Sequence, residues 1–368
     1  MSASKESPRE WGAHIWIGAN FFAWLRLCAS ARFRFGWRQA YLFPICTASS
    51  LGNTLLGYLQ NLRDGEKIRE TELTQEPLFI IGHWRTGTTW LHELLMLDAR
   101  HHCPTSADCL HPTRSMSVGK LKRYFNWLMP EKRPMDNVKL GWDTPQEDEF
   151  ALLLLGAPSP YQKIAFPNHH YPLEELLDLD RLPIPEQKTW ERVFVRFIQT
   201  MTYFDSRRLV LKSPPHTCRI PKLLKLFPKA KFLHIVRNPI SVIPSTIKLW
   251  TTLYRTQGLQ TPNLRNLQDE VLRTHTHVYQ RLEQTVGMIP PTQFHELRYE
   301  DLVDRPIDQL EQAYRTLGLG SFEQYRPVLE SYLQGQGQFE KNRFNLSEDL
   351  VSLIRKECGQ MMRKYGYS

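Results

Sequence analysis

The chain has 368 residues, of which 41% are hydrophobic and ten are Trp, enough apolar material for a large core and incompatible with a disordered chain. Lys and Arg total 47 against 38 Asp and Glu, giving a net charge of +9. The basic residues form no long tract and no nucleic-acid-binding module is present, so nucleic acid is not an expected partner. Six scattered cysteines without a C-x-x-C pair exclude a disulfide framework and fit free thiols in a cytoplasmic protein.

The first residues, "MSASKESPREW", carry mixed charge and no apolar run before a small-residue cleavage site, which argues against a secretory leader. Residues 1–70 read as an aromatic, basic, helical N-terminal extension. Within it, "HIWIGANFFAWLRLCASARFRFGWRQAYLFP" interleaves Trp and Phe with Arg26, Arg32, Arg34 and Arg38, and arginine comes too early for a spanning helix. Two readings stay open. The segment packs on the main domain as a helix, or it lies against anionic lipid and makes the protein peripheral at a membrane. The polar stretch "RDGEKIRETELTQEP" reads as the way into a main domain over 71–368.

"PLFIIG" predicts a short buried strand, and "TTWLHELLML" a helix with Leu91, Leu94 and Leu95 on one face. "HHCPTSADCLH", His101 to His111, concentrates His and Cys but matches no common zinc spacing. Residues 100–140 read as irregular, basic and aromatic, and Tyr124, Phe125 and Trp127 are available to line a pocket or to fill a core. "TPQEDEFALLLLG" predicts a helix from Thr144 to Gly156, with Thr144 as cap, Pro145 at the first position and acids in the first turn. "PEQKTWERVFVRFIQTMTYF" follows as a second helix. Then come a strand from Arg208 to Pro214, a helix in "RIPKLLKLFP", a strand in "AKFLHIVRNP" and a long helix in "LRNLQDEVLRTHTHVYQRLEQTV". "QFHELRYEDL" is a last strand and "IDQLEQAYRTLGL" a last helix. Strands alternating with helices imply an α/β, doubly wound domain with a central parallel sheet flanked by helices.

The turn out of the first strand carries the chemistry. It runs Gly82-x-x-x-x-Gly87-Thr88-Thr89, the spacing of a phosphate-binding loop between strand and helix. Such a loop aims backbone N–H groups and a helix dipole at an anion. Gly87 lets the backbone approach, and Thr88 and Thr89 add hydroxyl donors. A triphosphatase needs a lysine where Thr88 stands and a strand-end carboxylate for Mg²⁺, but the later strands end in "KSP" and "VRNP" without an Asp. The cation inside the loop is Arg85. A second constellation, "FLHIVRNPISVIPST", places Arg237 at a strand end and Ser245 eight residues later, an Arg and a hydroxyl suited to a phosphate clamp. The two segments predict a ligand with phosphates at two separated places, held without metal.

"GHWRTGTTWLHELL", "VRNPISVIPS" and "RYEDL" together resemble sulfotransferases that use 3′-phosphoadenosine 5′-phosphosulfate (PAPS). The resemblance runs from about Pro77 to Leu302 and more weakly beyond, and Arg85 is similar to the tyrosylprotein and bacterial branches. It implies a P-loop-like doubly wound domain. Gly82, Arg85, Thr86, Gly87, Thr88 and Thr89 would hold the 5′-phosphosulfate. Arg237 and Ser245 would hold the 3′-phosphate, and Lys341 and Arg343 in "FEKNRFNL" offer a basic loop to close over the donor. The implied reaction is metal-free in-line sulfuryl transfer to a hydroxyl or amine of a glycan, lipid or peptide, with Arg85 stabilising the leaving oxygen. The acceptor must lose a proton, and Glu147, Glu149 and His216 are the candidate bases. A nucleotide kinase and a non-catalytic anionic-ligand or membrane adaptor are the alternatives.

Overall fold

A computed structural model describes residues 14–113, 141–335 and 346–367. Five parallel strands form the sheet: β1 (Leu78–Ile81), β2 (His101–His102), β3 (Arg208–Lys212), β4 (Lys231–Val236) and β5 (Phe294–Arg298). Their order is β2-β3-β1-β4-β5. Phe79 of β1 pairs with Leu211 on one side and Phe232 on the other. All four β1 residues are buried, which is why "LFII" is a continuous apolar run rather than an alternation. Because β1 lies between β3 and β4, the winding reverses there, and the loops leaving β1 and β4 open side by side. Open α/β sheets bind ligands at such a point.

The principal helices are α1 (Phe21–Ser30), α2 (Leu42–Arg69), α3 (Thr88–Leu95), α4 (Ser106–Leu110), α5 (Asp148–Leu154), α6 (Ile184–Phe204) and α7 (Ile220–Leu226). They continue with α8 (Pro239–Gln257), α9 (Leu267–Thr285), α10 (Tyr299–Asp304), α11 (Pro306–Leu317), α12 (Phe322–Gly335) and α13 (Glu348–Lys364). Alternate strand residues feed opposite faces of the sheet. Phe79, Ile81, Leu211 and Phe232 face one core with Trp190 and Phe194 of α6 and with Met361 and Met362 of α13. Leu78, Ile80, Leu233 and Ile235 face the other, with residues of α3, α11 and α12.

Several expectations change. Of the two readings of the N-terminal segment, packing on the domain holds for its start: Trp16 and, in α1, Trp24 are fully buried in the first core. Trp16 Nε1 donates to the Gln257 carbonyl at 2.6 Å, and the Ile15 amide donates to Gln257 Oε1 at 2.9 Å. The first seven residues of the "linker" are helical, since α2 runs through Arg69 with Lys67 and Arg69 in its last turn, where the dipole favours them. The helix expected from Thr144 begins at Asp148 instead. Thr144 spends its hydroxyl on the Gly141 carbonyl and Pro145 bridges to Thr105, which holds this stretch extended. No helix among the described residues is long and apolar enough to cross a membrane.

Candidate active site

The loop after β1 is built by local geometry. Gly82 has φ 151°, and a Cβ there would lie 2.6 Å from the Ile235 carbonyl oxygen. Its amide donates to Thr217 Oγ1 at 2.8 Å, which pins the loop to the turn after β3. Thr86 turns its hydroxyl back onto the His83 carbonyl at 2.7 Å, so its side chain closes the loop rather than facing outward. Burial pushes the His83 imidazole down to about 4, which keeps a neutral ring inside the loop. Gly87 has φ 100° and caps α3, leaving the first amides of that helix aimed at the loop mouth. Among the described residues, neither Thr88 nor Thr89 spends its hydroxyl on a protein partner.

The second constellation meets the first. Arg85 Nε donates to Ser245 Oγ at 2.8 Å, and Arg237 Nη1 donates to the Arg85 carbonyl at 3.3 Å. Asn238 caps α8 by accepting from the Ile240 amide, and Pro239 occupies its first position, so α8 starts where Arg237 leaves β4. The Arg237 guanidinium lies 4.0 Å from the centre of the Tyr299 ring. Burial pushes Arg237 down from the ordinary arginine range, and among the described residues it holds no carboxylate in an ion pair. A half-buried cation that makes no ion pair with its neighbour Glu300 suits an anionic ligand.

The three candidate bases separate sharply. Glu149 is fully buried and paired with Arg219 through contacts of 2.5 and 3.0 Å. His216 is fully buried and pairs through Nε2 with Asp148 at 2.8 Å. Burial alone would raise the Asp148 carboxyl, but His216 and the hydrogen bonds from His216 and Ser213 hold it below its usual range. Glu149 and His216 are thus both buried and paired with protein side chains, whereas a base must reach the acceptor. Both serve to anchor the start of α5 to the turn after β3. Glu147, one residue before α5, keeps 15% of its side chain exposed. It accepts from Lys212 Nζ at 2.8 Å and from the Tyr161 hydroxyl, which in turn accepts from Trp84 Nε1 at 2.9 Å. This chain of contacts joins Glu147 to the loop that carries Arg85.

Lys212, Tyr161, Trp84 and Tyr299 were not singled out from sequence. A lysine ending the buried strand "RLVLK" was the one legible signal, because a buried cation requires a partner. Lys341, Arg343, Tyr124, Phe125 and Trp127 lie outside the described residues.

Residues 77–324 match the model of the sulfotransferase family. The chain belongs to that family. This sulfotransferase is 42% identical over 359 residues to omega-hydroxy-beta-dihydromenaquinone-9 sulfotransferase Stf3 of Mycobacterium bovis and of Mycobacterium tuberculosis, covering 98% of this chain and 92% of theirs. Its fold is that of sulfotransferase STF9 from Mycobacterium avium, with a TM-score of 0.69 at 18% identity over 94% of this chain and 86% of that one. Sulfotransferase STF1 from Mycobacterium tuberculosis gives 0.67 at 18% identity, over 91% and 90%. The enzyme is accordingly a PAPS-dependent sulfotransferase, which moves a sulfuryl group from that donor to an acceptor.

Proposed function

We propose that the enzyme transfers the sulfuryl group to the terminal hydroxyl of a hydroxylated prenyl-quinone lipid, with Arg85 and Arg237 meeting the donor's charge and Glu147 as the base. The observation that carries the donor site is the convergence of Arg85, Ser245 and Arg237 at the point where the winding of the sheet reverses. The amides at the start of α3, the hydroxyls of Thr88 and Thr89 and the backbone around Gly82, Thr86 and Gly87 cradle the 5′-phosphosulfate. Arg237 and Ser245 take the 3′-phosphate. The lipid acceptor is supported by the near-complete match to a relative named for such a substrate.

In the reaction the acceptor oxygen attacks sulfur while the bond from sulfur to the bridging phosphate oxygen breaks. The acceptor proton passes to Glu147, and 3′-phosphoadenosine 5′-phosphate (PAP) departs with the bond electrons. Arg85 stabilises the charge arriving on the bridging oxygen, so turnover is expected to persist in chelator. Lys212 and Tyr161 orient the Glu147 carboxylate, and the Trp84 contact couples it to the donor loop.

The test is transfer of labelled sulfate from PAPS to an omega-hydroxylated menaquinone in detergent, against panels of glycans and peptides. A lipid product heavier by one SO₃ group supports the reading, and label on a glycan or peptide alone overturns the acceptor. Glu147→Gln should lower kcat roughly 10²–10⁴-fold. PAP affinity should stay unchanged, measured by calorimetry. Unchanged kcat would remove Glu147 as the base.

A further inference from the structure

The second helix is turned inside out for a helix in water. Between Thr47 and Thr54 its polar side chains point inward. Ser49 Oγ and Asn53 Nδ2 donate to the Ile17 carbonyl at 2.8 and 2.7 Å, and Asn53 Nδ2 also reaches the Ala19 carbonyl at 2.9 Å. Thr47 accepts from Trp24 Nε1 at 2.9 Å, and Thr54 accepts from the Phe21 amide at 2.8 Å. Most of its large apolar side chains point outward. Tyr41, Ile45, Leu51, Leu55, Tyr58, Leu59 and Leu62 are each about half exposed or more, and Leu62 reaches 64%. Pro44 and Ala48 fill the same face, and Asn61 is the one polar residue among the exposed positions from 41 to 62. Isolated exposed leucines are ordinary, but a row of about 32 Å along one helix is not.

The rim of this face is positive. From His14 to Arg63 the chain has Arg26, Arg32, Arg34, Arg38 and Arg63 and no Asp or Glu. Arg32, Arg34 and Arg38 are exposed and, among the described residues, hold no ion pair. They lie in the turn that leads into α2, beside Phe33 and Trp37, the latter 82% exposed. An apolar helix face bordered by aromatic residues and arginine has the chemistry of an interfacial helix on anionic lipid. A second copy of the chain fits less well, because stacking two such faces would set arginine rims together with no acid in residues 14–63 to answer them.

We propose that the outer face of α2, with the Arg32–Arg38 turn, seats the enzyme on an anionic bilayer. The extension is fixed to the catalytic domain and is not a loose tether. Gly36 and Arg34 bond the segment after α8, and Asn20 and Arg26 bond the end of α5. The inward side of α2 also meets the segment after α4. A Cβ on Gly57 would meet Thr113 at 3.3 Å, and Thr113 follows α4, whose cap Thr105 bridges Pro145 two residues before Glu147. The inference is independent of the acceptor, because vesicle binding is read without donor or acceptor present.

The experiment is co-sedimentation of the full chain with vesicles of phosphatidylcholine, with and without phosphatidylglycerol. The wild type should pellet with the anionic vesicles and less so as salt rises. The triple variant L51E/L55E/L59E should lose more than tenfold in partition while still binding PAP by calorimetry. R32Q/R34Q/R38Q should lose roughly fivefold per arginine on anionic vesicles and little on neutral ones. The single variant L55E repeats the test if the triple variant fails to bind PAP. Wild type left in the supernatant, or an L51E/L55E/L59E variant that pellets unchanged, overturns the proposal. So does a wild-type dimer in light scattering that the same variant converts to monomer, since the face would then belong to a second copy.

Discussion

Arg85 is held at φ 69°, a left-handed conformation that costs a non-glycine residue roughly 1–2 kcal/mol. The cost is offset where its carbonyl meets Arg237 and its Nε meets Ser245, so the two arginines and the serine set one another's positions. On the proposed mechanism Arg85→Ala removes the charge that faces the leaving oxygen, and kcat/KM should fall roughly 10²–10³-fold. Arg85→Lys keeps the charge but loses the planar fork, so it should fall less, about tenfold. Single-turnover sulfate transfer separates the two from slow product release. Equal losses in both variants would make Arg85 a shape-setting residue and not the source of charge. Spacing in the sequence brought Arg85, Arg237 and Ser245 forward because each lies at a strand end or in the first turns of a helix. Glu147 emerged there only as one of three bases. Burial sets Glu147 apart from the other two, and burial depends on Arg219, Asp148 and Lys212, whose pairings span some 65 to 70 positions.

At the scale of elements, the donor loop depends on α10 as much as on β1. A Cβ on Gly87 would lie 2.3 Å from the Tyr299 ring, and the same ring carries Arg237 at 4.0 Å. Gly87→Ala therefore does two things. It forces alanine into φ 100°, and it pushes the ring that supports Arg237. Stability should fall by about 2 kcal/mol or more in urea. PAP affinity should fall beyond what unfolding explains, read by calorimetry well below the midpoint. A loss of stability with intact PAP affinity would mean that Tyr299 does not transmit the clash. Short apolar runs separated by helical periods made β1, β3, β4 and β5 legible, along with most of the helices between them. Elements went unread where local signals conflicted. Pro244 concealed the nineteen residues of α8, although a proline in that helix is compatible with its buried packing. The two residues of β2 are too short to show a period. The exposed apolar face of α2 reads from sequence as an interior face, and only the inward hydrogen bonds of Ser49 and Asn53 reveal its direction.

For the whole molecule, the helices that cover one face of the sheet need fastening to one another, and Asp98 supplies one fastening. Its carboxylate takes Arg100 Nη2 at 2.6 Å and the Tyr314 hydroxyl of α11 at 2.7 Å, while Arg100 also reaches the Ser321 carbonyl before α12. Burial raises the Asp98 carboxyl, but the hydrogen bonds from Arg100 and Tyr314 outweigh it and bring it down to about 2. A carboxyl held lower in the folded than in the unfolded chain stabilises the fold above its unfolded value, near 4. That contribution, about 2 kcal/mol, fades as pH falls from about 4 toward 2. Asp98→Asn keeps the shape and removes the titration. The stability gap between wild type and Asp98→Asn in urea should be constant from neutral pH to about 5 and should close toward pH 2–3. A gap that stays open in acid would assign the loss to packing around Tyr314, because packing does not titrate. Sulfate-transfer activity at neutral pH should change little, since Asp98 touches neither Arg85, Arg237 nor Glu147 in the structure.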